Sequence, residues 1–563
     1  MKNHLQLLPL ILAAGAAASG TATAQTTPDA GALQQQIDKS RAAALPKAAP
    51  QPLTGAPAPL ERLAGPSVSV SAFRFTGNTR LGEAQLRTLL QAYLNRPLQF
   101  SELQQAAAAV SAAYRDAGWI ARAYLPKQEI DGGVVSIQIV EARFGGVQTA
   151  GEGRIAPGQA RRIVESAQPV GSLLNADALD RAILLVDDLP GVGATGNLQA
   201  GERDTETALV LRLTPEPLLS GDVFIDNTGS RSTGAARIGA NLSLNSPLLL
   251  GDQGVANLQH SEGSDYLRAA YSLPLGDAGW RAGINASALR YRLVAADFAA
   301  LHARGSADSA GLEASYPLLR SRLSNLFLQI NGDSKRYDNQ ANGAVSSHYK
   351  LDSLSVGLSG NRFDDFGGGG ATSANLALVR GKVDLDGSPN QRADAASTRS
   401  GGSFSKLRYG LARQQALSET FSLAASLAGQ YASKNLDSSE KFYLGGLYGV
   451  RAYPASEAGG SNGQLLNLEV RARLPLGVGL TGFYDWGHVT VNRDNNFAGA
   501  ALVNGYALKG YGAALGWTAP FKLNLKAVWA RRIGSNPSPN LNGSDQDGSL
   551  RKNRFWLQAT MPF

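Results

Sequence analysis

The sequence predicts an all-β transmembrane barrel of about sixteen antiparallel strands, preceded by two small α+β modules and a tethered N-terminal helix. Three observations carry that prediction. The chain opens with an export signal, one β-α-α-β-β pattern then occurs twice, and from about Leu218 short alternating segments recur to the last residue.

Lys2 supplies a positive start, an apolar run extends from Leu5 to Ala18, and Ala22-Thr23-Ala24 offers a small-residue cleavage site before Gln25. Residues 1–24 therefore read as a signal peptide. The run is shorter than the ~20 residues a membrane-crossing helix needs, and no other apolar segment reaches that length. Helical membrane spans are excluded. The absence of cysteine removes disulfides and thiolate metal sites. The formal charge of +8 is spread along the chain, which points to a solvated surface or an anionic membrane neighbour and away from nucleic acid.

Residues 25–45 hold "AGALQQQIDKSRAAAL", a helix-favouring run of Ala, Gln and Leu. Residues 46–66, rich in Pro and Ala, form an extended linker, so the helix is tethered to the first module and not packed in sequence with it. That module, 67–142, opens with the strand "VSVSAFRFTGNT" and turns at Gly77-Asn78. One helix places Leu86, Leu89, Leu90 and Tyr93 on a single face; a second starts at Ser101, with Gln104 completing a capping box, and presents Leu103, Ala107, Val110 and Tyr114. The strands "WIARAYLP" and "GVVSIQIVEA" close it, with Val135, Ile137 and Ile139 alternating with polar neighbours.

The second module, 143–217, repeats that order. A strand near Gly145–Thr149 precedes a helix near Pro157–Ala167 and a longer one capped by Asn175 and stopped by Pro190. The strands "GVGATGNLQ" and "ETALVLRLTP" come next, the latter alternating at Leu209, Leu211 and Leu213. Neither module carries a catalytic constellation. They read as binding modules.

Residues 218–563 form the barrel. In Ala236–Asn245, Ile238, Ala240, Leu242 and Leu244 face one way while Arg237, Asn241 and Ser243 face the other. Leu466–Leu474 and Phe521–Trp529 alternate likewise, with Glu469, Arg471 and Arg473, and Lys522, Asn524 and Lys526, on their polar faces. A water-filled lumen accepts such charges, and lipid requires every backbone group to be paired, so the sheet must close. The chain ends on "FWLQATMPF", alternating to a terminal Phe563. At ~20 residues per strand and connection the segment allows about 16 to 18 strands.

The chemistry-bearing inventory is thin. His4, His260, His302, His348 and His488 stand at no metal-ligand spacing, and neither a G-x-S-x-G elbow nor a Walker loop occurs. Gly367–Gly370 lacks the Lys-Ser/Thr of a phosphate cradle and reads as a turn. No enzyme activity, cofactor or metal is expected.

One stretch stands apart: "GLYGVRAYPASEAGG", Gly446–Gly460, is too long and too specific for a hairpin turn. Within it Val450, Arg451 and Tyr453 resemble the "VRGY" loop motif of the outer-membrane polypeptide-transporter superfamily, with Ala452 where that motif usually has Gly. The resemblance implies a loop after the eleventh strand, folded back into the barrel, its Arg paired with the Asp of an F-x-D-x-G wall motif. Here that motif is Phe483, Asp485 and Gly487, one strand further on. A guanidinium drawn into a barrel needs such a carboxylate to offset lost hydration, and its planar fork is one that Lys cannot supply. Arg471 and Arg473 read as ordinary pore lining.

The two modules resemble POTRA domains of the hemolysin-activator type, in "FRFTGNTRL", "YRDAGWIARAYLPKQEI" and "LDRAILLVDDLPGVGATGNLQAGERDTETALVLRL". Almost the whole mature chain is similar to the TpsB transporters of two-partner secretion. That resemblance implies an outer-membrane protein with periplasmic POTRA domains and a plug helix in its lumen. It would export an unfolded partner exoprotein, contact outer-membrane lipid and be assembled by the barrel-assembly machinery. The alternative from the same superfamily is a barrel-assembly factor, a class with more POTRA modules than two; a passive porin would need neither modules nor an Arg–Asp lock.

Overall fold

The computed structural model describes residues 28–40, 67–203, 205–540 and 542–563. The expected signal peptide and the 46–66 linker lie outside the described residues.

Each module is a three-stranded sheet under two helices. In the first, Val134–Glu141 is the central strand, parallel to Ala72–Thr76 and antiparallel to Ala121–Tyr124. In the second, Glu206–Pro215 lies between Arg143–Gly151 and Val192–Ala200 with the same polarity. Alternation buries Val135, Ile137 and Ile139 in one core and Leu209, Leu211 and Leu213 in the other. The helices Pro157–Ala167 and Ala176–Asp187 fall where the sequence places them, and Asn175 Oδ1 accepts from Ala178 N at 2.8 Å.

Two details of the first module differ from expectation. Its long helix starts at Phe100, and the capping box is Gln99/Glu102, with Glu102 Oε2 accepting from Gln99 N at 2.9 Å. An ionised Glu at the third position satisfies an orphan amide and favours the helix dipole, an advantage Gln104 lacks. Leu89, the last residue of its helix, is exposed, whereas Leu86 and Leu90 are fully buried.

Glu141, at the end of the central strand, ties down the 77–81 turn. Its Oε1 accepts from Thr79 N (2.7 Å), Arg80 N (2.9 Å) and Tyr114 Oη (2.8 Å), and its Oε2 accepts from the Thr79 hydroxyl. Burial pushes its pKa up, but these donors outweigh burial and hold the carboxyl below the usual Glu range. The folded state thus binds its proton more weakly than the unfolded chain. The stabilisation is present above the unfolded value of ~4.3 and is lost as pH falls below it through the lower folded value. Glu141→Gln is expected to cost about 1–3 kcal/mol. Amide exchange at Thr79 and Arg80 in the full chain would then speed up at pH 7, by a margin that shrinks as pH falls below the unfolded value and through the folded one. Equal protection in both proteins at pH 7 would remove Glu141 as the tie.

The modules join each other and the barrel through direct hydrogen bonds. Ile120 N donates to Leu174 O (3.1 Å), and Ala176 N to Gly118 O (2.8 Å). Arg320, in the barrel, makes a two-pronged contact with Asp188 (2.7 and 2.8 Å), and Arg322 Nε donates to Asp180 (2.7 Å). The turn around residues 317–323 is therefore anchored to the second module, which fixes the near end of the barrel.

The barrel closes with sixteen antiparallel strands, sequence neighbours throughout, from Leu219–Asp226 to Asn553–Pro562. The last strand pairs with the first from Gln558↔Asp226 to Pro562↔Asp222. Ile238, Leu312 and Leu378 project outward and more than half exposed, as a lipid-facing band requires. The fifteenth strand is Asn524–Arg532; Phe521 and Lys522 instead belong to the preceding turn, where Lys522 has φ +64°. Its inward face is as expected, and Val528 and Ala530 are buried there.

The N-terminal helix, Ala30–Ser40, sits inside the barrel. Ala30, Leu33 and Ile37 pack on the inward-facing Leu289, Tyr291, Tyr337 and Leu351. Ala30 N donates to Asn339 Oδ1 (2.9 Å) and Lys39 Nζ to Tyr443 O (2.8 Å). The N-terminal end of the helix is held by both the wall and the long loop, and its C-terminal end by the loop.

Candidate functional site: an inward loop locked to the wall

The loop of residues 433–461 joins the eleventh strand, Phe421–Ala432, to the twelfth, Asn462–Arg473. Its two arms pair briefly, Phe442↔Gly460 and Tyr443↔Gly459, then fold into a tight tip. The tip explains the glycines. A Cβ on Gly445 would stand 1.9 Å from Pro454 O, and one on Gly449 would stand 1.9 Å from Leu444 O. Backbone crosses backbone there, and only glycine fits.

The fold carries Arg451 to the inner wall, where it is 5% exposed. Its Nε donates to Asp485 Oδ2 (2.9 Å), its Nη2 to Asp485 Oδ1 (2.6 Å) and its Nη1 to Glu469 Oε1 (2.8 Å). The Arg451 backbone N donates to Asp485 Oδ2 as well (3.0 Å). The guanidinium carbon lies 3.5 Å from the centre of the Phe483 ring, a desolvated cation–π contact. Burial alone would lower the Arg451 pKa, but the two carboxylates hold it above the usual value.

All three residues of the wall motif project inward from the thirteenth strand, Val478–Thr490, because they are spaced by two. Phe483 supplies the ring, Asp485 the carboxylate and Gly487 the space. A Cβ on Gly487 would meet Leu444 Cδ2 at 2.7 Å and Val450 Cγ2 at 3.2 Å. Val450 and Tyr453 are both fully buried, and the Arg532 guanidinium lies 4.5 Å from the Tyr453 ring centre. Ala452 lies outside the left-handed region, and its methyl fills the space above Gly510 of the fourteenth strand, where an added Cβ would come within 2.7 Å. The Ala-for-Gly exchange is therefore matched by a glycine on the wall.

Sequence reasoning brought together the six motif residues and missed their support. Glu469 shares Arg451 with Asp485 and also binds Arg471 (2.6 Å), so Arg471 belongs to the network and is more than pore lining. Asn467 Nδ2 donates to Asp485 Oδ1 (2.7 Å) and to Gly449 O (3.1 Å), tying wall to tip. Trp556, on the last strand, donates from Nε1 to Arg451 O (2.8 Å). Glu469 offered one signal, as the sole acid on the strand between the two motifs; Trp556 offered none. A charged group with this many fixed partners is a mechanical lock: it holds the loop tip against four strands.

Known proteins resemble this chain over most of its length. The family model for haemolysin secretion/activation proteins ShlB/FhaC/HecB matches residues 205–517, and that for ShlB-type POTRA domains matches 68–142. The heme/hemopexin transporter protein HuxB of Haemophilus influenzae (strain 86-028NP) is 26% identical over 489 residues, 85% of this chain and 84% of that one. The outer membrane transporter CdiB of Dickeya dadantii (strain 3937) is 27% identical over 463 residues, 79% and 80% of the two chains. The solved structure of CdiB from Escherichia coli superposes with a TM-score of 0.73 at 22% identity, covering 96% of this chain and all of that one.

Proposed function

The chain belongs to the haemolysin secretion/activation (ShlB/FhaC/HecB) family, outer-membrane transporters that export a partner exoprotein by two-partner secretion, and on that basis we propose how its parts divide the work. Residues 67–142 and 143–217 act as periplasmic POTRA domains that take up the partner's secretion domain. Strand addition at a free sheet edge supports this reading, since Ala72–Thr76 and, beyond its bridge to Leu173 at Arg143, Arg143–Gly151 are edge strands of their sheets and backbone pairing tolerates varied side chains. Residues 218–563 form the conduit and contact outer-membrane lipid, and the barrel-assembly machinery inserts them. The helix Ala30–Ser40 plugs the lumen at rest. The chain works as a conduit and not as an enzyme.

The observation that carries this reading is the lock, with Arg451 buried between Asp485 and Glu469. It holds a long loop inside a barrel that also contains a helix, so both obstacles must move or open a path for an unfolded chain. Folding of the exported chain outside supplies direction, because a folded product cannot slide back. The test compares culture supernatant and cell surface with and without this gene. Loss of one large β-rich protein, with other barrels unchanged, is the expected result. General depletion of outer-membrane barrels would instead identify an assembly factor.

A further inference from the structure

The inward loop has a second buried attachment, in the arm that precedes its tip. There "NLDSSEKFY", residues 435–443, folds around a short 3₁₀ turn, Ser438–Glu440. Asp437 caps that turn. Its Oδ1 accepts from Ser439 N (3.0 Å) and Ser439 Oγ (2.6 Å), and Tyr349 Oη of the wall donates to the same oxygen (2.9 Å). The turn is the seat of the plug helix: Ser438 Oγ donates to Asp29 Oδ2 (2.7 Å), and Gln35 Nε2 donates to Ser439 O (2.5 Å).

Glu440 reaches from that turn to the wall and is buried there. Its Oε2 lies 2.6 Å from Lys406 Nζ, and its Oε1 lies 3.8 Å from Lys335 Nζ. These lysines stand on the tenth strand, Gly402–Ala416, and the seventh, Ser324–Ala341. Lys406 Nζ and Gln430 Nε2 also donate to the Glu440 backbone O, each at 2.9 Å. Glu440 is 5% exposed and Lys406 3%. Asp38 and Asp333 stand near Lys335 as well, but among the described residues Glu440 is the only carboxylate in ion-pair range of Lys406. Removing either partner of such a pair leaves the other desolvated and unpaired.

Two charged attachments therefore fix different parts of the loop to different strands. Arg451 ties the tip to the twelfth and thirteenth strands through Glu469 and Asp485. Glu440 ties the seat of the helix to the seventh and tenth. The seat holds the helix through hydrogen bonds alone at Ser438 and Ser439, so a seat that leaves the wall carries the helix with it.

We propose that Glu440 is a positioning residue for closure of the conduit: through Lys406 and Lys335 it holds the helix's seat against the wall and so keeps the plug in the lumen at rest. The inference rests on the plug reading of the helix. It makes closure depend on a wall contact separate from the Arg451 lock.

The test is limited trypsin digestion of the full-length protein in detergent, read by mass spectrometry, beside conductance in planar bilayers. Trypsin can cut the loop after Lys441, next to the seat, or after Arg451, at the tip. Glu440→Ala should keep the heat-modifiable migration of a folded barrel and raise cleavage after Lys441 at least about tenfold. Cleavage after Arg451 should rise far less, and resting conductance should rise several-fold. Lys406→Ala should behave alike. The joint variant leaves neither member of the pair unpaired, so it should assemble even where a single variant does not. It should be cut after Lys441 more than the wild type and less than the product of the single effects. Wild-type protection of Lys441 in folded Glu440→Ala, or in the joint variant, would overturn the proposal. Single effects that multiply in the joint variant would mean that the two residues act apart, and equally overturn it. Equal cleavage after Lys441 and Arg451 would mean a loop held as a whole, with no separate support at Glu440. Cleavage after Lys441 with unchanged conductance would instead refute the plug reading on which closure rests.

Discussion

Arg451→Ala is expected to abolish export, leaving less than about a tenth of the cargo outside the cell, while the barrel still assembles. The substitution leaves Asp485, fully buried, and Glu469 facing each other without their shared cation. Removing one partner of a buried pair costs about 3–5 kcal/mol, because the remaining charge stays desolvated. That cost falls on the docking of the loop. The sixteen-strand ladder does not pass through Arg451 and keeps its backbone pairing. Arg451→Lys should fail almost as completely. An ammonium cannot span Asp485 and Glu469 in one plane or lie flat on Phe483. Cargo in the supernatant, barrel heat-modifiability and protease cleavage within residues 433–461 report the three levels separately. Normal export by Arg451→Ala at equal surface abundance would sink the lock.

Gly31→Leu should open the lumen, raising single-channel conductance in planar bilayers several-fold over the wild type. A Cβ at residue 31 would lie 2.8 Å from Ser439 Cβ, and the backbone of Ser439 is 3.0 Å away, so neither side can yield without moving helix or loop. Overpacking of this kind costs about 1–3 kcal/mol. Hydrogen bonds at Asp29, Ala30, Gln35 and Lys39 hold the helix, and its buried apolar face is short: Ala30, Leu33 and Ile37, with Gln34 beside them. A penalty of that size is large against so small a contact and should raise the population of helix out of the lumen. Gly31→Ala should give a weaker effect of the same sign. Conductance unchanged in both variants would mean that the helix does not block the pore.

These two expectations share a structural cause. The loop touches the plug helix at residues 438–443 and the wall at 450–453, so loop and helix form one inner body supported at two places. Loosening the lock and expelling the helix should therefore be coupled, with Arg451→Ala also raising conductance.

Everything with a local period was legible in the chain alone. Alternation at two residues exposed the barrel strands, because a sheet between water and lipid repeats at the pitch of the pleat. The strand Glu206–Pro215 was legible for the same reason, and Asn175 because its side chain caps the helix that follows it. So was the F-x-D-x-G motif, whose residues must share a face. Which groups meet across the lumen was settled only in three dimensions. Trp556 reaches Arg451 from 105 positions away, Ala452 finds its space over Gly510, and the plug helix lies against strands some three hundred residues downstream. Those contacts depend on strand tilt, on the closing register of the last strand against the first, and on the path of one loop. None of these leaves a periodic trace in the chain, because each is set by the curvature of the closed sheet and not by any residue's neighbours in sequence.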